Sequence, residues 1–245
     1  MDLGHKRGIF AWYDCNSTDN LKAADFYQKL FTWTTSDFEF ADGQEITVLA
    51  NRKKLFANLN QGDQNGVKSH WLPYLAVENV HDYCAQVLSW GGRVVYDPVK
   101  VHGIGTAALI EDPCHAQFLA FSPTRSDKME PAMGEEEGYI YWNELMVDEP
   151  DKAWDFYSRS LGWQGQPSSI VSGGRAVGAI VKRPAGVNLA PAWRPHIVVK
   201  DVSDKQKLAE SLGAKIWIAK QPWGTEKHRS LIEDPTGASL FLVEL

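Results

Sequence analysis

Apolar and polar positions alternate along this chain in short blocks, and the period of the alternation keeps changing. Ile9–Cys15 is aromatic and β-prone, and it ends in the polar run Asn16-Ser17-Thr18-Asp19, a helix N-cap signature. Ala23, Phe26, Tyr27, Leu30 and Phe31 then recur at helical spacing, which predicts a helix over Leu21–Phe31 with one buried face. β-Prone segments follow at Thr34–Phe40, Glu45–Ala50 and Lys54–Leu59, separated by turn residues such as Asp42-Gly43. The pattern then restarts. Trp71–Val77 reads as a strand and Val80–Ser89 as a helix that Gly91-Gly92 stops. Arg93–Tyr96, Thr106–Ile110 and Gln117–Phe121 read as strands, with Asp112-Pro113 turning the last hairpin.

The chain also repeats itself. Adding 130 to Trp12, Phe26, Tyr27 and Trp33 gives Trp142, Phe156, Tyr157 and Trp163. Adding 122 to Val77, Val80, Gly91 and the run Leu109-Ile110-Glu111-Asp112-Pro113 gives Val199, Val202, Gly213 and Leu231-Ile232-Glu233-Asp234-Pro235. Matches held in register over such distances mean two copies of one fold. Strand, helix and three strands therefore occur twice per copy; the helix around Asp204–Leu212 has the faintest pattern. Between the copies Ser122–Gly138 shows no period, carries two prolines and ends in Glu135-Glu136-Glu137, so it reads as a linker with a solvated acidic run.

Composition narrows the class. With 44% hydrophobic and 23% charged residues the chain is globular, and its 245 residues suit two modest domains. The net charge of −6 excludes a general nucleic-acid binder and disfavours an anionic membrane surface. Cys15, Cys84 and Cys114 form no CxxC pair, which fits a reducing compartment. The start has no apolar signal-peptide core, and no apolar run approaches the roughly 20 residues of a membrane span. A cytoplasmic protein is expected.

A βαβββ unit repeated four times resembles the vicinal oxygen chelate superfamily of glyoxalase I, bleomycin-resistance proteins and extradiol dioxygenases. The Phe26-Tyr27 and Phe156-Tyr157 helices and the turn Asp234-Pro235-Thr236-Gly237 look like its motifs. Trp142-Asn143-Glu144-Leu145 is further similar to a bacterial two-domain glyoxalase-like subfamily. The resemblance implies an α+β fold of four βαβββ modules, building two glyoxalase-like domains with half-barrel mixed sheets. Their expected bounds are 1–121 and 139–245, joined by the linker 122–138. It leaves open which modules pair across each cavity. The superfamily's divalent metal takes His or Glu from first and last strands. Counted onto this chain, those positions fall on Trp12, Leu72, Leu119, Trp142, Arg194 and Phe241, none of them a ligand for such an ion. No metal and no cofactor is therefore expected at the inherited position.

Side chains at i and i+2 of a strand share a face, so Trp12 is joined by Asp14, Trp142 by Glu144, and Arg194 by His196, while Tyr74 joins Leu72. Trp12, Asp14, Tyr74, Trp142 and Arg194 are the candidate ligand-binding residues, with Trp223 as a further aromatic. Glu144 and His196 are the candidate catalytic pair, because a carboxylate bonded to an imidazole fixes its tautomer and raises its pKa. The bland alternative is a buried ion pair that satisfies only itself. Gly103-Ile104-Gly105 precedes a strand and is no dinucleotide fingerprint; with His102 it reads as a rim loop. His5, His70, His81, His115 and His228 read as surface residues, Trp33 and Trp163 as core, and Cys15 beside Asp14 is a poor nucleophile.

Three functions fit these residues. The first is a bleomycin-resistance-like protein that binds a small organic metabolite in an aromatic and acidic cavity without metal. The second is a lyase or isomerase using Glu144 and His196. The third is a protein-interaction module with vestigial cavities. The expected partner is a small molecule, not nucleic acid or membrane, and the chain is expected as a monomer or homodimer.

Overall fold

A computed structural model of the chain describes residues 7–39, 43, 45–62, 68–101, 104–124 and 133–245. The first module runs β1 (Phe10–Ser17), α1 (Asn20–Phe31), β2 (Thr34–Glu39), β3 (Glu45–Asn51) and β4 (Lys54–Gln61). The second is β5 (His70–Ala76), α2 (Val80–Val87), β6 (Arg93–Val101), β7 (Gly105–Glu111) and β8 (Gln117–Pro123). The third is β9 (Ile140–Val147), α3 (Pro150–Leu161), β10 (Gln164–Gln166), β11 (Ser169–Ser172) and β12 (Arg175–Lys182). The fourth is β13 (Ala192–Val198), α4 (Val202–Ser211), β14 (Lys215–Pro222), β15 (His228–Glu233) and β16 (Ser239–Glu244).

The strands form two eight-stranded mixed sheets, in the orders β2-β3-β4-β1-β5-β8-β7-β6 and β10-β11-β12-β9-β13-β16-β15-β14. Within every module the first and last strands pair in parallel, for example Asp14 opposite Asn58 and His196 opposite Phe241. The remaining pairs within modules are antiparallel. The fold is therefore α+β, as the module pattern implies.

Local chemistry places the helices. Asp19 caps α1 by accepting from Lys22 N at 3.0 Å, Asn79 caps α2 through His81 N, and Asp201 caps α4 through Asp204 N. α3 instead begins on Pro150, whose missing N–H costs nothing in a first turn. α2 is shorter than its apolar pattern suggests, because Leu88–Trp90 tighten into a 3₁₀ turn that ends on Gly91 at φ +90°. The next glycine is required by space: a Cβ on Gly92 would lie 2.7 Å from Phe156 Cε2 and 2.8 Å from Glu111 O. β6 runs past Tyr96 to Val101 and through Pro98. Pro98 falls in the register break between Tyr96 and Val99 of this edge strand, a place where a proline is tolerated.

The chain divides into two compact units. Unit 1 comprises Met1–Trp12, Leu72–Ala132 and Asn143–Trp193, and unit 2 comprises Tyr13–Trp71, Met133–Trp142 and Arg194–Leu245. Each unit thus combines one module from each sequence copy. Each eight-stranded sheet, by contrast, is built within one sequence copy, over Phe10–Pro123 and Ile140–Glu244.

A hydrogen-bonded device sits in each core. In unit 2 Tyr27 of α1 donates to Asp234 Oδ2 at 2.7 Å and accepts from Trp71 Nε1 at 3.1 Å. Trp33 Nε1 donates to Gly138 O at 2.9 Å. In unit 1 Trp193 Nε1 donates to the Tyr157 hydroxyl at 2.9 Å, and Trp163 Nε1 donates to Gly8 O at 2.7 Å. Buried Tyr and Trp carry large apolar area but must place their polar tips, and these bonds do so. Burial, together with the nearby carboxylate, pushes both tyrosine hydroxyls well above their ordinary pKa, so they remain donors.

Candidate ligand site

The sequence-derived candidates fall into different units. Trp12 and Tyr74 belong to unit 1, where Trp12, Val101 and Leu119 pack against a buried cluster that includes Ala11, Tyr74, Ala107 and Phe121. The Tyr74 and Phe121 rings meet edge-on at 5.7 Å. Asp14 belongs to unit 2, is buried, and accepts from Asn58 Nδ2 at 2.8 Å across the β1–β4 pair. Glu144 is buried on β9 opposite Ala179 of β12, in unit 1. Trp142, Arg194 and His196 belong to unit 2.

In unit 2 these three stand in an aromatic and cationic wall. His196 is fully buried; its ring centroid is 4.3 Å from that of Phe241, its register partner, and 5.0 Å from that of Trp223. Trp223 meets Trp142 at 5.9 Å and Tyr141 at 6.2 Å, both edge-on. Along the same ladder buried Arg194 donates from Nε to Ser239 Oγ at 2.8 Å. Arg229 of β15 lies over Phe241 at 4.7 Å and over Trp223 at 5.6 Å. Lys227 sits 4.6 Å over the Tyr141 ring and donates to its hydroxyl at 2.8 Å. The floor is buried, while Tyr141, Trp142, Trp223, Lys227 and Arg229 are half-buried at its rim.

Two groups in this wall lack protein partners. Neither ring nitrogen of His196 has a hydrogen-bond partner among the described residues, and the same holds for Trp142 Nε1. This corrects the expectation that a carboxylate binds the imidazole and raises its pKa. Burial first, and then the Arg229 guanidinium, hold His196 well below its ordinary value, so the imidazole is neutral at pH 7. A neutral imidazole offers one N–H and one lone pair. Buried polar atoms without partners are rare in folded proteins and need an explanation.

Sequence reasoning passed over Tyr141, Lys227 and Arg229. Adding 122 to Ala107 and Gly105 of the first copy gives Arg229 and Lys227, and adding 130 to Ala11 gives Tyr141. The signal was a change from small to large or charged at matched positions. Other expectations resolve simply. Trp33 and Trp163 are core residues, and Cys15 is buried with its thiol pushed up by burial and Asp234. His228 stands half-buried on β15. In the acidic run Glu136 pairs with Arg52 at 2.6 Å. His5, His102 and Gly103 lie outside the described residues.

No family model matches the chain. It is similar to the anthracycline biosynthesis protein DnrV of Streptomyces peucetius, with 29% identity over 97% of this chain and 94% of that protein. CFP32 of Mycobacterium tuberculosis (strain CDC 1551 / Oshkosh), which carries the name of a glyoxylase, is 24% identical over 96% of this chain and 94% of its own. Among solved structures, the Mn(II)-bound glyoxalase of Novosphingobium aromaticivorans superposes with TM-score 0.64 and 15% identity, over 98% of this chain and 82% of that one. These likenesses support the resemblance to the vicinal oxygen chelate superfamily that the module pattern carries. The superfamily's divalent ion does not fit the residues that this chain has at the inherited positions. Trp142 and Phe241 present rings there in unit 2, and unit 1 has the Trp12 indole and the aliphatic Leu119, none of them a metal ligand. Among the described residues no three His, Cys, Asp or Glu side chains gather as a metal site. No described helix is long and apolar enough to cross a membrane.

Proposed function

We propose that this protein binds a planar, oxygenated small molecule at the Trp142–His196–Trp223 wall of unit 2, without the metal of its relatives. The observation that carries this reading is the set of buried nitrogens without protein partners, two on His196 and one on Trp142, placed among aromatic rings. Rings supply stacking area, and a ligand oxygen supplies the missing hydrogen bonds, which is the composition of a small-molecule site. The likeness to an anthracycline biosynthesis protein along almost the whole of both chains supports a small organic ligand. The test is a tryptophan-fluorescence titration with naphthalene-sized hydroxylated and carboxylated aromatics, in buffer with and without EDTA. Saturable quenching that EDTA leaves unchanged is expected. Quenching that needs a divalent ion overturns the metal-free part, and no quenching by any probe favours the interaction-module reading.

The neutral imidazole also favours a second reading, a lyase or isomerase in which His196 moves a proton. Burial and Arg229 keep it in the free-base form, able to accept a proton though only as a weak base, and no hydrogen bond ties it to Glu144. His196→Gln separates the two readings: loss of turnover with binding retained points to chemistry, and loss of binding alone to recognition.

A further inference from the structure

We infer that the ligand of the unit 2 wall is an aromatic anion, its ring against the indoles and its charged oxygen met by Lys227 and Arg229. The inference rests on the proposed function and adds the charge class that the sequence left open. Three cations belong to this wall, and each is fixed by a ring or a hydroxyl. Lys227 is held by the Tyr141 hydroxyl and ring, Arg229 by the faces of Phe241 and Trp223, and Arg194 by Ser239. Glu144, two residues along β9 from Trp142, brings one carboxylate. Lys227 and Arg229 thus gather at the half-buried rim of this wall in a chain whose overall charge is −6.

The polar groups agree with that sign. The Trp142 N–H can only donate, and it is buried without a partner. A cationic ligand would leave that donor unmet and would face Lys227 and Arg229. An anion presents acceptors to it, and a guanidinium takes a carboxylate or enolate in a two-point bond. The imidazole, neutral because Arg229 and burial disfavour its proton, remains able to donate to an anion through one nitrogen. The matched positions of the first copy are Gly105, Ala107 and Tyr74, which supply neither cation nor imidazole. Lys227, Arg229 and His196 are therefore peculiar to the second copy among these matched positions.

The experiment titrates the full chain with three probes of one ring system: 2-naphthoate, 2-naphthalenemethanol and 2-naphthylmethylammonium. Fluorescence quenching gives the affinities and calorimetry checks them. The naphthoate should bind at least tenfold tighter than the alcohol, and the ammonium weakest. Lys227→Gln, at the half-buried rim, should remove a several-fold share of the naphthoate preference and leave the alcohol unchanged. Lys227→Arg should restore it, and Arg229→Gln should remove at least as much. Equal binding of acid and alcohol, or a preference for the ammonium, overturns the anion assignment while the ring-binding reading stands. Failure of all three probes overturns both. Loss of alcohol and naphthoate alike in Lys227→Gln, with an unchanged melting temperature, shows that Lys227 acts on the ring and also overturns the charge assignment.

Discussion

Units 1 and 2 are built from the same two kinds of module, yet they have spent equivalent positions differently. Where unit 1 has Ala11, Tyr74, Val101, Ala107 and Leu119, unit 2 has Tyr141, His196, Trp223, Arg229 and Phe241. Both walls hold rings, Trp12, Tyr74 and Phe121 in unit 1, but only the wall of unit 2 adds an imidazole and cations to them. The cores differ in the opposite sense. Asp234 of unit 2 is fully used: Oδ1 accepts from the backbone of Thr236, Gly237 and Ala238, and Oδ2 accepts from Tyr27. Asp112 of unit 1 uses Oδ1 for Cys114 N and Ala116 N, but Oδ2 has no hydrogen-bond partner among the described residues. The unit with the satisfied core carries the unsatisfied wall. Burying unmet polar atoms is costly, so such atoms at a wall point to function, whereas in a core they are only a loss of stability.

The largest effect should come from that core difference. Tyr27→Phe leaves Asp234 Oδ2 and Trp71 Nε1 buried without their partner and should cost about 2–4 kcal/mol. Tyr157→Phe removes the acceptor of Trp193 Nε1 and a hydroxyl beside Asp112, and should cost less, about 1–2 kcal/mol. Urea unfolding of the two variants measures both, and equal losses would break the comparison.

Asp112 gives the next effect, in the stabilising direction. Burial raises its pKa from 3.8 to about 6. A carboxyl whose folded pKa lies above its unfolded value favours the native state at low pH. That contribution is complete below about pH 4 and is lost as pH rises through about 6. Asp112→Asn keeps an oxygen for the two backbone donors and removes the buried charge. It should gain about 1–3 kcal/mol at pH 8 and nothing at pH 4. Urea midpoints across that range decide it, and an equal shift at both pH values would assign the effect to packing.

Much of this was legible beforehand, for definite physical reasons. Helix caps and strand alternation are local, so Asp19, Asn79 and the module order can be read from adjacent residues. The pairing of Tyr27 with Asp234 cannot. Both copies carry the same Phe-Tyr and Glu-Asp-Pro motifs, so residue type alone fits Tyr27 to Asp112 as well as to Asp234. Alternation found Arg194 and His196 but gave the imidazole a carboxylate, because it predicts faces and not contacts. Lys227 and Arg229 entered only through cross-strand neighbours, which a single strand's pattern does not contain.

Exchanging wall residues between the units tests the site directly. His196→Tyr installs the residue of unit 1 beside Trp223 and Phe241 and should weaken 2-naphthoate about tenfold, or roughly 1.4 kcal/mol. Tyr74→His in unit 1 should change the affinity less than about twofold, a difference under roughly 0.4 kcal/mol. A loss confined to Tyr74→His would transfer the working site to unit 1.

The smallest expected change separates a structural carboxylate from a ligand-binding one. Alternation placed Asp14 beside Trp12 as a candidate ligand contact, but its side chain accepts from Asn58 Nδ2 at 2.8 Å, between register partners of β1 and β4. An amide at position 14 still has an oxygen for that bond, so Asp14→Asn should alter stability by less than about 1 kcal/mol. Because its hydrogen bond goes to Asn58 and not to a residue of the Trp142–His196–Trp223 wall, the change should also leave 2-naphthoate affinity within about twofold, a difference near 0.4 kcal/mol. Calorimetry resolves a change of that size. A several-fold gain would place Asp14 within electrostatic reach of the ligand, and a several-fold loss would make it a contact. Either result would require the wall of the first copy to take part in binding after all.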